Sequence, residues 1–394
     1  MNIQLLTTLY LLLLISLGYV ATDIYLPSLP AMGAYFHAEN HEVQRTLFFY
    51  LISFSLAPLI CGPLSDHIGR KRVILGGLFV AFIATLGCLF SESIEVFIAC
   101  QCIQGMGTGA VLISGRASLP DLFEGKALAK QMSLATMLMP LILSISPALG
   151  GALQQNFQWH AITLFLLGWL LFLCVVALLR KETQKQKSTS PLSQIFSHYR
   201  THLKNPIFLM YGVNFILPAI GLFSYMTVSP FLFQKTLGLS PLEYGSLAFY
   251  VGGTILVTGY LNLKLLNHFS TVQILHGGAL LMVLSGALLL IFHWIGFLTT
   301  WSVLGPSLIF FTCMPLCVSN AAAKAFSLVR SHFGAATALL SCLQFLIGAL
   351  GSFVSSLFSY ENALLLAVLF FGIGCISLVN LTLASRLEKR LAYS

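Results

Sequence analysis

The feature that most constrains this chain is a series of long apolar segments in which charged side chains are almost absent. The first segment has no charged residue from Leu5 to Val20, and similar segments recur along the 394 residues. Only 8% of the residues are charged and 57% are hydrophobic, whereas soluble domains carry about 25% charged residues. So few charges do not cover a water-exposed surface, and we therefore expect most of the surface to face lipid.

The length of these segments predicts membrane-spanning helices. A helix needs about 20 apolar residues to cross a bilayer, because the hydrocarbon layer is about 30 Å thick and each residue rises about 1.5 Å. The segments are continuous rather than alternating, which favours helices over a β-barrel. Twelve segments of this kind lie at approximately 4–29, 45–65, 73–91, 96–116, 132–153, 160–180, 206–230, 241–263, 272–292, 297–320, 334–357 and 362–384. We predict an all-α membrane protein with twelve transmembrane helices.

The basic residues predict the orientation of these helices, because cytoplasmic loops carry the excess of Lys and Arg. With the N-terminus in the cytoplasm, 18 of the 20 Lys and Arg residues fall in cytoplasmic segments, and only Arg45 and Lys235 fall outside. The sequence therefore predicts that both termini are cytoplasmic. The same distribution explains the net charge of +8 without a nucleic-acid partner.

The longest polar stretch, Arg180–Pro206, separates two sets of six segments. Its Lys, Gln, Ser and Thr residues are typical of a solvated linker. We predict an N-terminal six-helix bundle over residues 1–180, a cytoplasmic linker over 181–205 and a C-terminal six-helix bundle over 206–394.

The two halves of the chain also resemble each other. LSDHI at Leu64–Ile68 aligns with LLNHF at Leu265–Phe269, and the same offset aligns PALGG at Pro147–Gly151 with GALGS at Gly348–Ser352. Two matches at one offset indicate a duplicated six-helix unit. Parallel repeats of this size are typical of transporters whose halves rock around a central site.

Three motifs resemble a known family of transporters. GPLSDHIGRKRVI, at Gly62–Ile74, is similar to the signature between helices 2 and 3 of the major facilitator superfamily. SPALGGAL, at Ser146–Leu153, resembles the helix-5 motif of its proton-coupled antiporters. TDIYLPSLP, at Thr22–Pro30, is similar to the helix-1 signature of drug:proton antiporters, and most closely to the Bcr/CflA-type bacterial efflux proteins. The resemblance covers essentially the whole chain and implies the major facilitator fold.

The resemblance implies a multidrug efflux transporter of the bacterial inner membrane that exchanges small amphipathic compounds for protons and contributes to antibiotic resistance. Its partners would be the lipid bilayer, a small-molecule substrate and protons, and it would act as a monomer without nucleic acid. The proton gradient would drive it, without a cofactor, a metal or catalytic residues, so we do not expect an enzyme. Two alternatives stay open: a dedicated exporter of one metabolite or siderophore, and a non-transporting membrane sensor.

Asp23 is the one acid that we place within a span, since Glu243 is only the third residue of 241–263. A buried carboxylate is costly in a membrane, and those that persist usually face a cavity or mark an ion path. Such a group takes up protons more readily than it does in water, so we predict that Asp23, with Tyr25 of the same motif, is a proton and substrate switch. The alternative is a wetted Asp23 at the end of helix 1, where Pro27 and Pro30 interrupt the helix.

The loop signature predicts a cytoplasmic gate. An acid at the end of helix 2 can pair with a helix N-terminus in the other half and with a nearby Arg, and glycines permit tight turns and close approach. The resemblance implies that this latch holds the cytoplasmic side shut. A purely topological role of the basic run is the alternative. The predicted gate consists of Gly62, Asp66, Gly69, Arg70 and Lys71.

Other polar and small residues within the spans complete the predicted site. In the helix-5 motif, Pro147, Gly150 and Gly151 allow bending and tight helix packing. GMGTGA, at Gly105–Ala110, lies inside an apolar span, so it predicts a helix contact rather than a dinucleotide loop. Amides and hydroxyls within spans either bond between helices or line the pathway. The possible cavity-lining residues are Tyr50, Asn214, Tyr250, Asn320 and Gln344.

The chain departs from the family pattern in helix 4. The resemblance implies an Arg linked to proton coupling three residues before the Gln of an R-x-x-Q-G motif. Here Gln101 occupies that position and Gln104 is retained, so we predict a helix-4 polar pair of two glutamines. This substitution leaves the coupling ion open. Pro120 and Ser146 are further departures at positions where Arg and a Gly or Ala are usual.

Overall fold

The structure is a computed structural model that describes residues 3–184, 203–329 and 333–392. Most of the predicted linker, 181–205, lies outside the described residues. In the first half, helices α1 to α6 are Ile3–Asp23, Leu29–Tyr35, Asn40–Ile68, Arg70–Leu89, Ile94–Leu122 and Gly125–Leu179. In the second half, helices α7 to α13 are Pro206–Phe231, Pro241–Leu265, Thr271–Trp294, Thr300–Cys313, Asn320–Ser327, Phe333–Ser356 and Leu364–Ala392.

Eleven helical segments of the described chain are long and apolar enough to cross a membrane. One of them, α6, has 55 residues and would be about 80 Å long as a straight helix, far more than a bilayer requires. Gln158 inside α6 has φ 65°, a left-handed conformation that few non-glycine residues adopt. The break lies between the predicted spans 132–153 and 160–180, so α6 corresponds to two crossings and the eleven segments to twelve.

The first crossing is interrupted at Asp23. Helix α1 ends at this residue, and a short 3-10 turn, Leu26–Ser28, leads into α2. Pro27 and Pro30 lie in the first two positions of the turn and of α2, respectively, where their missing N–H groups cost nothing. The prolines therefore end α1 where the sequence predicted a break.

The chain divides into two compact units. One contains residues 1–191 and Leu239–Phe249, and the other contains residues 192–238 and 250–394. The first nine residues of α8 thus count with the first unit.

In the first unit, α5 packs against α3 on one side and α4 on the other, and glycines on both sides make this possible. A Cβ at Gly105 or Gly109 would collide with the backbone of α3, and a Cβ at Gly107 would collide with Gly77 of α4. Small residues let helix backbones approach closely in lipid, where dispersion contacts hold helices together. The predicted contact at Gly105–Gly109 is therefore made with α3.

In the second unit, α7 packs against α12 through similar close contacts. A Cβ at Gly348 would collide with the Phe223 ring, and one at Gly351 would press on Ile220. Helices α10 and α13 meet through Phe310 and Phe370, whose rings stack with centroids 3.9 Å apart. Two π-helical segments interrupt the regular helices of this unit, Leu232–Thr236 after α7 and Met314–Ser319 between α10 and α11.

Candidate functional site

Asp23 lies buried at the broken end of α1, with 2% of its surface exposed. Its Oδ2 atom has no hydrogen-bond partner within the described residues, and none of the described basic groups lies within ion-pair distance of its carboxyl. An unpaired carboxylate is very costly in an apolar interior, whereas a neutral acid is much less so. The geometry therefore favours a carboxyl that holds a proton when no cation is beside it.

Tyr50 of α3 joins the elements around Asp23. Its hydroxyl lies 2.8 Å from the carbonyl oxygen of Gly18, to which it donates, and 2.7 Å from the Oγ1 atom of Thr108 on α5. The same Gly18 carbonyl also accepts a hydrogen bond from Thr22 Oγ1 at 2.8 Å. Tyr50 thus ties α1, α3 and α5 together beside Asp23.

Tyr25 and Gln101 line a narrow cavity together with Tyr50. The Tyr25 hydroxyl is 2.9 Å from Thr163 Oγ1 of α6. Tyr25, Gln101 and Tyr50 line a cavity of about 20 Å³ together with Thr22 and Phe97, which is room for about one water molecule. Gln101, at the position where the resemblance implies an arginine, therefore faces the same polar space as both tyrosines.

Gln101 and Gln104 of α5 are both buried. Gln104 donates from Nε2 to Thr85 Oγ1 of α4 at 2.6 Å, and its buried Oε1 has no partner among the described residues. Gln101 faces the cavity beside Tyr25. The structure thus separates them onto different neighbours.

The predicted helix-5 motif packs against the break in α1. A Cβ at Gly150 would collide with the carbonyl group of Ile24, the residue after Asp23. Within the same unit, a Cβ at Gly151 would collide with the carbonyl of Pro241, and one at Gly245 would collide with that of Pro147. These glycines let α6 approach both the α1 break and the start of α8 at backbone distance.

The residues of the predicted gate form a compact charged cluster at the junction of α3 and α4. The Arg70 guanidinium pairs with Asp66 one turn earlier and donates from Nε to Asp121 Oδ2 of α5 at 3.1 Å. It also donates from Nη1 to Ser65 Oγ at 2.6 Å. Arg70 is buried, so its charge is balanced by two carboxylates, as a buried arginine requires.

The segment after α6 binds the same junction. The Glu182 carboxylate accepts hydrogen bonds from the backbone N–H groups of Arg70, at 3.1 Å, and Lys71, at 3.2 Å. Lys71 Nζ donates to the carbonyl of Arg180 at 2.6 Å, and Gln184 donates to the carbonyl of Asp66. Glu182 therefore caps the positive end of α4.

Glycines shape this junction at two points. Gly69 has φ 110°, a conformation that side chains rarely adopt, and a Cβ there would collide with the Glu182 carboxylate. A Cβ added at Gly62 of α3 would lie at an ordinary contact distance, 3.6 Å, from the Ile113 side chain. The tight turn between α3 and α4 thus requires glycine at 69.

The remaining predicted lining residues have different surroundings. Asn214 bonds to Asn380 and Ser377 of α13, and Asn320 bonds to Asn262 of α8. Both amides are buried between helices. Tyr250 is 49% exposed and stacks edge-on against Trp301, and Gln344 is half-buried on α12.

A charged cluster in the second unit was missed in the sequence analysis. Glu388 of α13 pairs with Lys324 of α11 at 3.0 Å and accepts a hydrogen bond from the Tyr211 hydroxyl of α7 at 2.9 Å. The Lys324 ammonium also lies 5.6 Å from the centre of the Tyr211 ring. The acid and the base are 64 residues apart, so neighbouring residues in the sequence gave no sign of the pair.

Comparison with known proteins decides the family. The profile of the Major Facilitator Superfamily matches residues 11–352. The chain belongs to the major facilitator superfamily. This membership confirms the predicted transporter and excludes the enzyme class, and it confirms the resemblance drawn from the three motifs.

Several curated relatives of this major facilitator chain are bacterial proteins named for drug resistance. It is 29% identical over 327 residues to "Multidrug resistance protein D" of Escherichia coli, covering 81% of each chain. It is 28% identical to the "Bicyclomycin resistance protein homolog" of Haemophilus influenzae, covering 85% of each. It is 26% identical to the "Chloramphenicol resistance protein" of Pseudomonas aeruginosa, covering 93% of this chain and 89% of that one.

Solved structures confirm the fold class. A peptide transporter, POT, crystallised with alafosfalin, has a TM-score of 0.77 at 14% identity and covers 98% of this chain and 94% of its own. A D-xylose-proton symporter has a TM-score of 0.70 at 14% identity and covers 96% of each chain. At this identity the likeness concerns the fold alone, so the protein is an all-helical, multi-pass membrane protein with the major facilitator fold.

Proposed function

We propose that this major facilitator protein exports small amphipathic compounds in exchange for protons by alternating access. The observation that carries the proposal is the Asp23 carboxyl, which is buried in a span, lacks a counter-charge among the described residues and lies at a helix break. A neutral acid is tolerated in this environment and a bare carboxylate is not. Loss of its proton therefore requires a cation, a polar substrate group or water beside Asp23.

The neighbours of Asp23 support a role as a switch. Tyr50 and Tyr25 place hydroxyls around a space that admits about one water molecule, so a proton has polar groups to move along. Gly150 brings α6 against Ile24, and a movement of α6 would therefore act on the chain next to Asp23. Substrate arrival and proton release would then be coupled at one point of the first unit.

The substrate class is inferred from the relatives. Three of them carry names that refer to multidrug, bicyclomycin or chloramphenicol resistance. The abundance of phenylalanine, 31 residues, suits a pathway for flat apolar molecules. Export across the bacterial inner membrane is therefore the direction that we propose.

The proposed gate is the Arg70 cluster at the junction of α3 and α4. Its ion pairs with Asp66 and Asp121 hold the ends of α3, α4 and α5 together within the first unit, and we propose that this arrangement changes when the cytoplasmic side opens. We also propose that residues 1–180 and 206–394 act as two six-helix bundles of a monomer with both termini in the cytoplasm. The distribution of Lys and Arg supports this orientation.

Uptake into proteoliposomes with an acidic lumen tests the proposal. The wild-type protein should accumulate chloramphenicol, ethidium or another amphipathic probe while protons leave, and Asp23→Asn should reduce this uptake to the level of empty liposomes. Glu92→Gln makes the same acid-to-amide change at an exposed residue and should transport like the wild type. Equal uptake by Asp23→Asn and wild type would contradict proton exchange through Asp23. Uptake that does not depend on the pH gradient would contradict it as well.

A further inference from the structure

Arg116 lies on α5, at the cytoplasmic end of the predicted span 96–116, and its side chain reaches α1. Its Nη2 atom donates to the Tyr19 hydroxyl oxygen at 3.4 Å, and the preceding residue, Gly115, packs against Leu14 and Ile15 of α1. Side chains on a helix tilt toward its N-terminus. The guanidinium is therefore directed along α5 toward Ile94 and away from the end at which Asp121 pairs with Arg70.

Arg116 has no counter-charge in the part of the chain that the structure describes. Tyr19 is its one hydrogen-bond acceptor there, and none of the described carboxylates lies within ion-pair distance. Arg70 of the next helix, by contrast, has two carboxylates. A guanidinium has five N–H donors, so most of those of the half-buried Arg116 are left for water or a ligand. An arginine at the end of a span that reaches a neighbouring helix without a carboxylate partner is a candidate functional position.

Arg116 and Asp23 approach the same face of α1. Tyr19, which accepts the hydrogen bond from Arg116, and Asp23 are four residues apart on α1 and therefore share one face of that helix. The Tyr50 hydroxyl of α3 bonds to the Gly18 carbonyl on the same turn. A basic group without a carboxylate and an acidic group without a base are thus related through one face of α1.

We propose that Arg116 binds an oxyanion group of the transported molecule, such as a carboxylate, a sulfonate or a phosphate, and so selects amphipathic acids over their neutral analogues. This inference rests on the proposed transport function. A planar guanidinium matches the two oxygens of such a group with two parallel N–H donors. Arg116 is thus a specificity-determining residue, and the aromatic part of the substrate would lie toward Tyr19.

Paired probes of equal shape test this inference. Naphthalene-2-sulfonate carries a permanent negative charge, and naphthalene-2-sulfonamide is its neutral counterpart. In proteoliposomes with an acidic lumen, Arg116→Gln should reduce sulfonate uptake about tenfold or more, because a charge-assisted hydrogen bond is lost. Sulfonamide uptake should change less than twofold. Arg116→Lys, which keeps the charge without the planar fork, should give an intermediate loss, and the exposed Arg386→Gln should change neither probe.

Several outcomes would overturn the inference. Equal losses for both probes would make Arg116 a structural residue, and unchanged sulfonate uptake would remove its role altogether. Liposomes of phosphatidylcholine alone and with added phosphatidylglycerol separate the two sources of an oxyanion. An effect of Arg116→Gln that appears only with phosphatidylglycerol would assign the arginine to a lipid headgroup.

The failure of the inference differs from the failure of the proposed function. A wild-type protein that exchanges the sulfonamide for protons and neither binds nor carries the sulfonate keeps the function and overturns the inference. Where neither probe is transported, thermal stabilisation of the detergent-solubilised protein decides. Stabilisation by the sulfonate that Arg116→Gln abolishes supports the arginine as the anion site, and equal stabilisation of both proteins contradicts it.

Discussion

Tyr50 shows how one hydroxyl holds together the region around Asp23. It lies on α3 and reaches the Gly18 carbonyl of α1 and the Thr108 hydroxyl of α5. With 1% of its surface exposed, Tyr50 cannot exchange these partners for bulk water. In a membrane protein the polar bonds between helices matter because lipid gives no strong hydrophobic drive for helix association.

Tyr50→Phe should therefore destabilise the first unit. The substitution keeps the ring and removes both hydrogen bonds of the hydroxyl, while Gly18 and Thr108 keep other partners, so each lost bond costs about 0.5–1.5 kcal/mol. Thermal unfolding of the purified protein in detergent measures the loss as a lower midpoint. Tyr260→Phe, at a residue that is 59% exposed, makes the same chemical change and should leave the midpoint unchanged. Similar midpoints for wild type and Tyr50→Phe would show that the hydroxyl bonds add nothing.

At the scale of the element, α4 and α5 pack closely because glycines at their contact have no Cβ. Gly77 of α4 faces the backbone of Gly107, and a Cβ at Gly77 would lie 2.7 Å from that residue's carbonyl oxygen. Gly76, its neighbour in the chain, has no atom within 4 Å of the same test position. Two adjacent glycines of one helix thus have opposite surroundings.

Gly77→Ala and Gly76→Ala should consequently act in opposite directions. The first substitution forces α4 and α5 apart, and overpacking of this kind costs about 1–3 kcal/mol. The second should be neutral or stabilise by up to about 1 kcal/mol, because alanine favours helix more than glycine. Titration with a denaturing detergent, followed by circular dichroism, measures both. Equal effects of the two variants would contradict the close approach of α4 and α5 at Gly77.

The segment after α6 is a second case in which an element acts through a few bonds. Glu182 caps α4 while Gln184 holds the end of α3. The turn between α3 and α4 is therefore fixed from outside by a stretch of chain more than 110 residues later. This arrangement explains why Gly69 requires both its backbone conformation and its lack of a side chain.

At the scale of the whole molecule, the number of membrane crossings decides whether the two termini lie on the same side of the membrane. Gln158 divides α6 in two, which makes twelve crossings from eleven helical segments. An even number returns the C-terminus to the side of the N-terminus. An unbroken α6 would leave an odd number and separate the termini.

Fusions at the two ends test this count. Green fluorescent protein attached at either terminus should fluoresce in intact cells, because it folds in the cytoplasm. Alkaline phosphatase, which is active outside the inner membrane, should be inactive when attached after Ser394. An active phosphatase at the C-terminus together with a fluorescent N-terminal fusion would mean that the chain crosses an odd number of times.

The sequence was informative where a property of one segment decided the outcome. Apolar length located the spans, the polar gap around Gln158 marked the break in α6, and Pro27 marked the end of α1. Partners distant in the chain were not predictable, because tertiary packing chooses them. Asp121 and Glu182 thus went unnoticed beside Arg70, although each is a carboxylate near a span end. Gln101 and Gln104 were grouped because they resemble the R-x-x-Q-G motif, and the packing of α4 against α5 gave Gln104 its Thr85 partner.

The π-helical segment Met314–Ser319 lies directly before helix α11, so a change in its winding would rotate α11 about its axis. A π turn holds one residue more than an α turn, and its conversion would rotate the following chain by about 100°. Asn320 and Lys324 follow directly and are held by Asn262 and Glu388. Both bonds are made by the same short helix, so a rotation that breaks one of them also strains the other. Side chains on two different helices would then change partners in a single step.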